Sequence, residues 1–330
     1  MANSYIKRLE AAMTEQGAKN EAISRAVDYA FKLLNQNLPV LFDDIHVAEV
    51  LLLSRLSLYS YHTFPVSQID KTRIITAPSL NLKQRQKWIL SEILNKIPVS
   101  EYAHGFESGR SIKTNALLHA HNDYVFCMDI KDFFPSISQQ SACEIFRNVG
   151  YSPKASDMLS KVCCYNNCLP QGAPTSPKLS NIFFAKIDAE LANLAKLNNA
   201  IYSRYADDLT FSSKHDIPAL RKAVEEIIGK YNFTLNHKKT RVFYPGQPKR
   251  ITGLVVQNGL VRVPKHFKRR LRQEIHYCRQ YGATVHLENT NASHCINYRE
   301  HLYGKAYFVH MIEPDTGDKL LNMLDEIDWM

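Results

Sequence analysis

An α+β fold is predicted by three features of the chain. An apolar, strand-like run, Tyr124-Val125-Phe126-Cys127-Met128, ends in Asp129. Two β-rich runs, Ala200–Arg204 and Leu209–Ser213, flank Tyr205-Ala206-Asp207-Asp208, so residues 200–213 read as a hairpin. Helical patterns cover Ser138–Val149, Pro177–Leu197 and Ile217–Tyr231. The resulting order is strand, two helices, hairpin, helix.

The remaining elements follow in chain order. Residues 1–60 read as a helical extension, with apolar residues at three- and four-residue spacing in Ala22–Leu34 and Ile45–Leu58. Thr72–Pro78 alternates as a strand, and Leu82–Ile97 reads as an amphipathic helix stopped by Pro98. In His104–Ile112, Gly105 and Gly109 flank Phe106, a loop whose backbone can approach a phosphate or a base. Arg250–Val256 reads as a strand turning at Gly253, and Asn258-Gly259 as a tight hairpin turn returning through Leu260–Val263. From Pro264 the chain is helical and basic, and Glu313–Asp328 reads as a mildly acidic, solvated end helix.

With 330 residues, 45% hydrophobic and 22% charged, two or three globular subdomains are expected and disorder is not. The net charge is +9. Its excess is concentrated: between Lys238 and Arg279 twelve basic residues face the single acid Glu274. So long and one-sided a run points to a polyanionic partner rather than a merely solvated face. Seven cysteines, without paired metal-ligand spacing or a leader peptide, suggest reduced thiols in the cytoplasm and no zinc site. No apolar run is long enough to span a bilayer, so no membrane contact is expected.

The chemistry centres on carboxylates. Asp207 and Asp208 at a hairpin tip repel each other unless hard divalent cations offset their charge. With Asp129 they form the set by which two Mg²⁺ ions clamp the attacking and leaving oxygens in nucleotidyl transfer. Asp129 and Asp207 are the expected bridging ligands, with Asp208 nearby and the Ile130 carbonyl as a backbone ligand. Against this stand ordinary roles: Asp pairs occur in surface turns, and Asp is a favoured helix N-cap. Two further runs accompany the acids, Lys131-Asp132-Phe133-Phe134-Pro135-Ser136-Ile137 and Leu169-Pro170-Gln171-Gly172-Ala173-Pro174-Thr175-Ser176-Pro177.

In that order, the Asp129 run, the Pro-Gln-Gly run and Tyr-Ala-Asp-Asp resemble motifs A, B and C of a reverse transcriptase. The resemblance implies a right-hand polymerase fold: fingers at 61–120 and around 150–180, a palm at 121–250, and a primer-grip hairpin with a helical thumb at 251–330. It implies that Phe134 lies under the incoming sugar and excludes a 2′-hydroxyl, and that Gln171 sits beside the 3′-hydroxyl. Lys71 and Arg73 match the residues that grip the triphosphate of a deoxynucleotide, with Arg110 assisting, and Lys239 matches a lysine near the pyrophosphate.

Asn115-Ala116-Leu117-Leu118-His119 looks like the Asn-Ala-x-x-His element of retron reverse transcriptases. Ile251-Thr252-Gly253 stands where that family typically has Val-Thr-Gly. Read without the family, Asn115–His119 is merely a polar turn of helix. Asn115, His119, Ile251, Thr252 and Gly253, together with the basic Lys265, Lys268, Arg269, Arg270 and Arg272, are the expected RNA-binding residues. The implied activity copies a cognate structured noncoding RNA into branched multicopy single-stranded DNA, primed by a guanosine 2′-hydroxyl. Host RNase H would remove the template, and a separate effector protein would act with the enzyme in antiphage defence. A group II intron-like enzyme is the nearest alternative, although the roughly 65 residues after Val263 are expected to be too few for its extra modules. A silent polymerase-fold scaffold is the other, disfavoured by the presence of all three aspartates.

Overall fold

Period-two alternation in the central strands decides which way each side chain faces. The computed structural model describes residues 2–53, 60–68, 71–283, 285, 287 and 297–329. Its central sheet contains β3 (Tyr124–Asp129), β4 (Ile201–Tyr205), β5 (Asp208–Ser213) and β6 (Arg241–Phe243) in the order β4-β5-β3-β6, with antiparallel neighbours. Phe126, Met128, Tyr202, Leu209 and Phe211 fall on one face, within a large apolar cluster. Val125 belongs to a second cluster and Cys127 packs against it. By the register Asp129↔Asp208 and Cys127↔Thr210, both aspartates share that second face.

The first cluster is closed by α2 (Asn20–Asn35), α3 (Asp44–Val50), α4 (Leu80–Glu92), α6 (Gln139–Val149), α7 (Pro153–Cys163), α8 (Ser176–Leu197) and α9 (Leu220–Lys230); α1 (Ala2–Glu15) packs against it. The second joins α5 (Ile112–Leu118) to a three-stranded sheet and a helical end. That sheet is β7 (Lys249–Ile251), β8 (Leu254–Gln257) and β9 (Leu260–Arg262), and the end comprises α10 (Lys265–Tyr281), α11 (Tyr298–Ile312) and α12 (Pro314–Asp325). A separate two-stranded ribbon pairs β1 (Tyr61–Gln68) with β2 (Lys71–Pro78).

Several expectations are revised. The helix expected at Ile45–Leu58 ends at Val50, and positions 54–59 lie outside the described residues. Leu52 adopts φ 50°, and the amides of Leu52 and Leu53 close back on the Glu49 and Ala48 carbonyls. This left-handed stop is usually marked by glycine, so apolar spacing alone did not reveal it. The Leu82–Ile97 helix breaks after Glu92 into a short 3-10 turn, Leu94–Lys96. β1, which contains Pro65, and the three-residue β6 were not anticipated. The end helix is not simply solvated, because Gly317, Leu320 and Leu324 are buried in the second cluster or against α11.

Candidate active site

The backbone brings the three aspartates to the same end of the central sheet. Asp129 and Asp208 are direct partners across β3 and β5, and the Ile130 amide donates to the Asp207 carbonyl at 2.9 Å. Ala206 turns the hairpin with φ 55°, costly for a residue with a side chain. Two contacts hold it. Arg204 Nη1 donates to the Ala206 carbonyl at 3.1 Å, and Gly105 packs so closely that an added Cβ would lie 2.6 Å from the Ala206 nitrogen. Gly105 is therefore required by close approach, but to the backbone of the hairpin turn and not to the phosphate or base that the glycine-flanked loop suggested.

Asp129 is 5% exposed. Its Oδ2 accepts from Lys239 Nζ at 2.5 Å, and its Oδ1 is buried without a hydrogen-bond partner among the described residues. Lys239 reaches it because residues 234–236 run beside β3: the Lys131 amide donates to the Thr234 carbonyl and the Asn236 amide to the Asp129 carbonyl. Among the described residues no three acidic, imidazole or thiol groups converge as a ready cation site. The donor chemistry is still one a hard cation suits: carboxylate and carbonyl oxygens, one of them, Asp129 Oδ1, buried without a hydrogen-bond partner among the described residues. Burial, then the Asp208 charge, push the neighbouring Cys127 thiol up to about 12, leaving it protonated and unreactive.

A cavity of about 230 Å³ is lined by Phe106, Phe134, Gly172, Ala173, Pro174 and Lys83, and Gly105, next to Phe106, packs on the hairpin turn. Phe133 is buried against Phe184, with centroids 5.0 Å apart, whereas half-buried Phe134 faces the cavity and Phe106. Phe106 is the aromatic of the glycine-flanked loop, whereas Lys83 was not singled out, because it stands in no motif whose chemistry names it. Gln171 is half-buried beside the cavity, and its carbonyl accepts from the Thr76 amide at 2.9 Å. Gly172, at φ 137°, lies where a Cβ would be 2.8 Å from the Thr76 carbonyl oxygen, which docks this loop on β2. Lys71 and Arg73 belong to β2 by backbone, and their side chains lie outside the described ones. A larger cavity of about 720 Å³ between α6 and α8 is lined by Glu144 but, like the smaller one, by none of the three aspartates.

Other expected site residues have structural partners. Arg110 Nη1 donates to the Ser100 carbonyl at 3.0 Å and to that of Ala103, strapping its own loop. Asn115, His119 and Ile251 are fully buried, so their side chains present nothing to an RNA surface. Thr252 takes φ 45° and Gly253 φ 85° at the β7–β8 turn, where Thr252 Oγ1 donates to the Ile112 carbonyl. Lys268 is consumed by Glu313, bonding both carboxylate oxygens at 2.7 Å, and Arg270 pairs with Glu274. Lys265, Arg269 and Arg272 are exposed at helical spacing i, i+4, i+7 and so form one basic stripe on α10.

The hairpin is also bolted from the α8 side, which its motif did not announce. Arg204 and Asp188, both fully buried, form a two-pronged ion pair at 2.8 Å, and Tyr202 Oη donates to the same carboxylate. Burial works against the Arg204 charge, but Asp188 outweighs it and keeps the guanidinium protonated.

Residues 65–294 match the family described as reverse transcriptase (RNA-dependent DNA polymerase). The chain is similar to the Retron Ec86 reverse transcriptase of Escherichia coli, 35% identical over 75% of this chain and 81% of that one. It is 35% identical to the Retron Mx162 reverse transcriptase of Myxococcus xanthus over 78% of this chain and 58% of the relative. With the Retron Se72 reverse transcriptase of Salmonella heidelberg it shares 34% identity over 68% and 62% respectively. With aspartates paired across the central sheet, these matches mean that the chain belongs to the reverse transcriptases, as an RNA-directed DNA polymerase of the retron type.

Proposed function

We propose that this polymerase copies part of a cognate structured noncoding RNA into branched multicopy single-stranded DNA, starting from the 2′-hydroxyl of a guanosine in that RNA. The supporting observation is the pairing of Asp129 with Asp208 beside Asp207 at the end of the central sheet. Reverse transcriptases use divalent metal ions. The proposed set here is two Mg²⁺ on Asp129, Asp207, Asp208 and the Ile130 carbonyl. Such ions would neutralise charge on the transferring phosphoryl group and favour ionisation of the attacking hydroxyl. Around them, Asp129 is steered by Lys239, Phe134 walls the deoxynucleotide sugar, and the Gln171 loop is seated on β2.

Residues 61–120 with 150–180 act as fingers, 121–250 as palm and 251–330 as primer grip and thumb in this proposal. Its support is that the elements from β7 onward share a core distinct from the larger one. Lys265, Arg269 and Arg272 are the proposed RNA contacts, beside a groove lined by Arg262, Lys265 and Lys268. Cytoplasmic action, template removal by host RNase H and a separate effector in antiphage defence complete the proposal, supported by the retron relatives alone. No helix among the described residues is long and apolar enough to cross a membrane.

The deciding experiment incubates the protein with RNA transcribed from its flanking locus, deoxynucleotides and Mg²⁺. A DNA product joined to RNA and shortened by a debranching enzyme is expected, and linear DNA alone would overturn 2′-hydroxyl priming. Asp207→Asn should abolish synthesis while leaving RNA binding intact; near wild-type polymerisation would remove the two-metal assignment. Neutralising Lys265, Arg269 and Arg272 together should flatten the salt dependence of RNA binding by about 0.7–0.9 log unit for each phosphate no longer neutralised. An unchanged slope would reject the stripe as the RNA interface.

A further inference from the structure

On its α5 side the β4–β5 hairpin is held by one continuous run of buried hydrogen bonds. Ser203 Oγ donates to Asn115 Oδ1 at 2.7 Å, so it accepts from His119 Nε2 at 2.8 Å. At the other ring nitrogen, Ser212 Oγ lies 2.7 Å from Nδ1 and itself accepts from Asn122 Nδ2 at 2.7 Å. In a neutral ring with Nε2–H donating to Ser203, Nδ1 is the acceptor and the Ser212 hydroxyl proton points to it. These directions are mutually consistent for one species, neutral imidazole with its proton on Nε2. Asn115, His119, Ser203 and Ser212 are all fully buried. Burial, assisted by the charge of His104, drives the His119 pKa down to about 3, which keeps the ring neutral under working conditions.

The position of this clamp matters more than its strength. Alternation along β5 places Ser212, Thr210 and Asp208 on one face, and β3 presents Asp129 opposite Asp208 on that same face. His119 joins Ser203 of β4, which pairs with Thr210, to Ser212 of β5, on the strand that begins at Asp208. On its other side α5 packs on the second sheet: Ala116 and Ala120 are buried with Ile251, Leu254 and Val256. The Gly259 amide donates to the Ala120 carbonyl at 3.1 Å, and Thr252 Oγ1 reaches the Ile112 carbonyl.

We propose that His119, oriented by Asn115, is a positioning residue: by tying Ser203 to Ser212 it sets the placement of Asp207 and Asp208 relative to Asp129 and to the β7–β9 sheet. The Asn-Ala-x-x-His element then acts in the catalytic step from inside the protein, and RNA recognition falls to exposed groups. The inference rests on the reading of Asp207 and Asp208 as catalytic.

The test is steady-state extension of a DNA primer annealed to a polyriboadenylate template, which needs no cognate RNA. Synthesis by the wild type that Asp207→Asn loses establishes the reaction independently of the clamp. His119→Leu should lower kcat by on the order of 10²-fold, the scale of a small misplacement of reacting groups, with a nearly unchanged deoxynucleotide KM. It should also raise the Mg²⁺ concentration giving half-maximal rate, leaving affinity for the flanking-locus RNA as in the wild type. His119→Gln, which retains a donor and an acceptor, should recover most of the rate. A folded His119→Leu protein with wild-type kcat and metal dependence would overturn the proposal. So would a loss confined to RNA affinity. Should His119→Leu fail to fold, Ser212→Ala, which deletes one hydroxyl, decides by the same criteria: a reduced kcat with raised Mg²⁺ requirement supports the clamp, and unchanged values overturn it.

Discussion

The two faces of the β4–β5 hairpin are anchored by different chemistry. Toward α8 the anchor is ionic, with Arg204 and Asp188 fully desolvated and the Arg204 guanidinium 4.8 Å from the Phe184 ring. Toward α5 it is neutral, a relay of hydroxyl, imidazole and amide groups in which no charge is buried. The ionic anchor is strong only while both partners are present, since a single buried charge is far more costly than a pair. The neutral one is built of individually modest bonds and gains its value from direction. One face thus secures the hairpin to the core, while the other sets the geometry of the carboxylate end.

Breaking the ionic face should have the largest effect on stability. Arg204→Met leaves Asp188 buried without its counter-charge, and a loss of about 3–5 kcal/mol is expected in urea unfolding. Adding Asp188→Leu to Arg204→Met should recover much of that loss. A double variant no more stable than the single one would show that the pair is not the dominant anchor.

Phe133 and Phe134 sharpen the same division, because neighbours in sequence serve opposite environments. Phe133→Ala should cost about 3–5 kcal/mol as a core truncation. Phe134→Ala should cost less stability and raise ribonucleotide incorporation relative to deoxynucleotides. Equal incorporation ratios in the two variants would reject Phe134 as the sugar gate.

Over the mildly acidic range alone, the smallest expected effect isolates the neutral face through pH. The His119 pKa is lowered from 6.5 to about 3, so below pH 6.5 the unfolded chain takes up a proton that the folded one refuses. Stability should therefore be fully present above that pH and fall as pH drops toward 3, with a slope from this residue approaching about 1.4 kcal/mol per pH unit. His119→Gln should remove that component from urea midpoints compared at neutral and mildly acidic pH. An identical slope in variant and wild type would mean that His119 is not the neutral buried group described here.

The sequence by itself determined the α+β class, the strand ending in Asp129, the hairpin bearing Asp207 and Asp208, and the long α8, because each rests on local periodicity and turn chemistry. The glycine pair of the 104–110 loop marked a crowded point, but what crowds Gly105, the hairpin turn at Ala206, is set by the tertiary structure. What only the tertiary structure decided is where polar residues go. Ser203, Thr210 and Ser212 alternate with apolar neighbours as a solvent-facing edge would, yet all three are buried, and Asn115 and His119 take up Ser203 and Ser212. Lys268 sits in a basic run as an RNA contact would, yet Glu313, 45 residues away, claims it. A hydroxyl or an ammonium has the same identity whether water or a buried partner satisfies it, and that partner comes from a distant segment which local pattern does not encode.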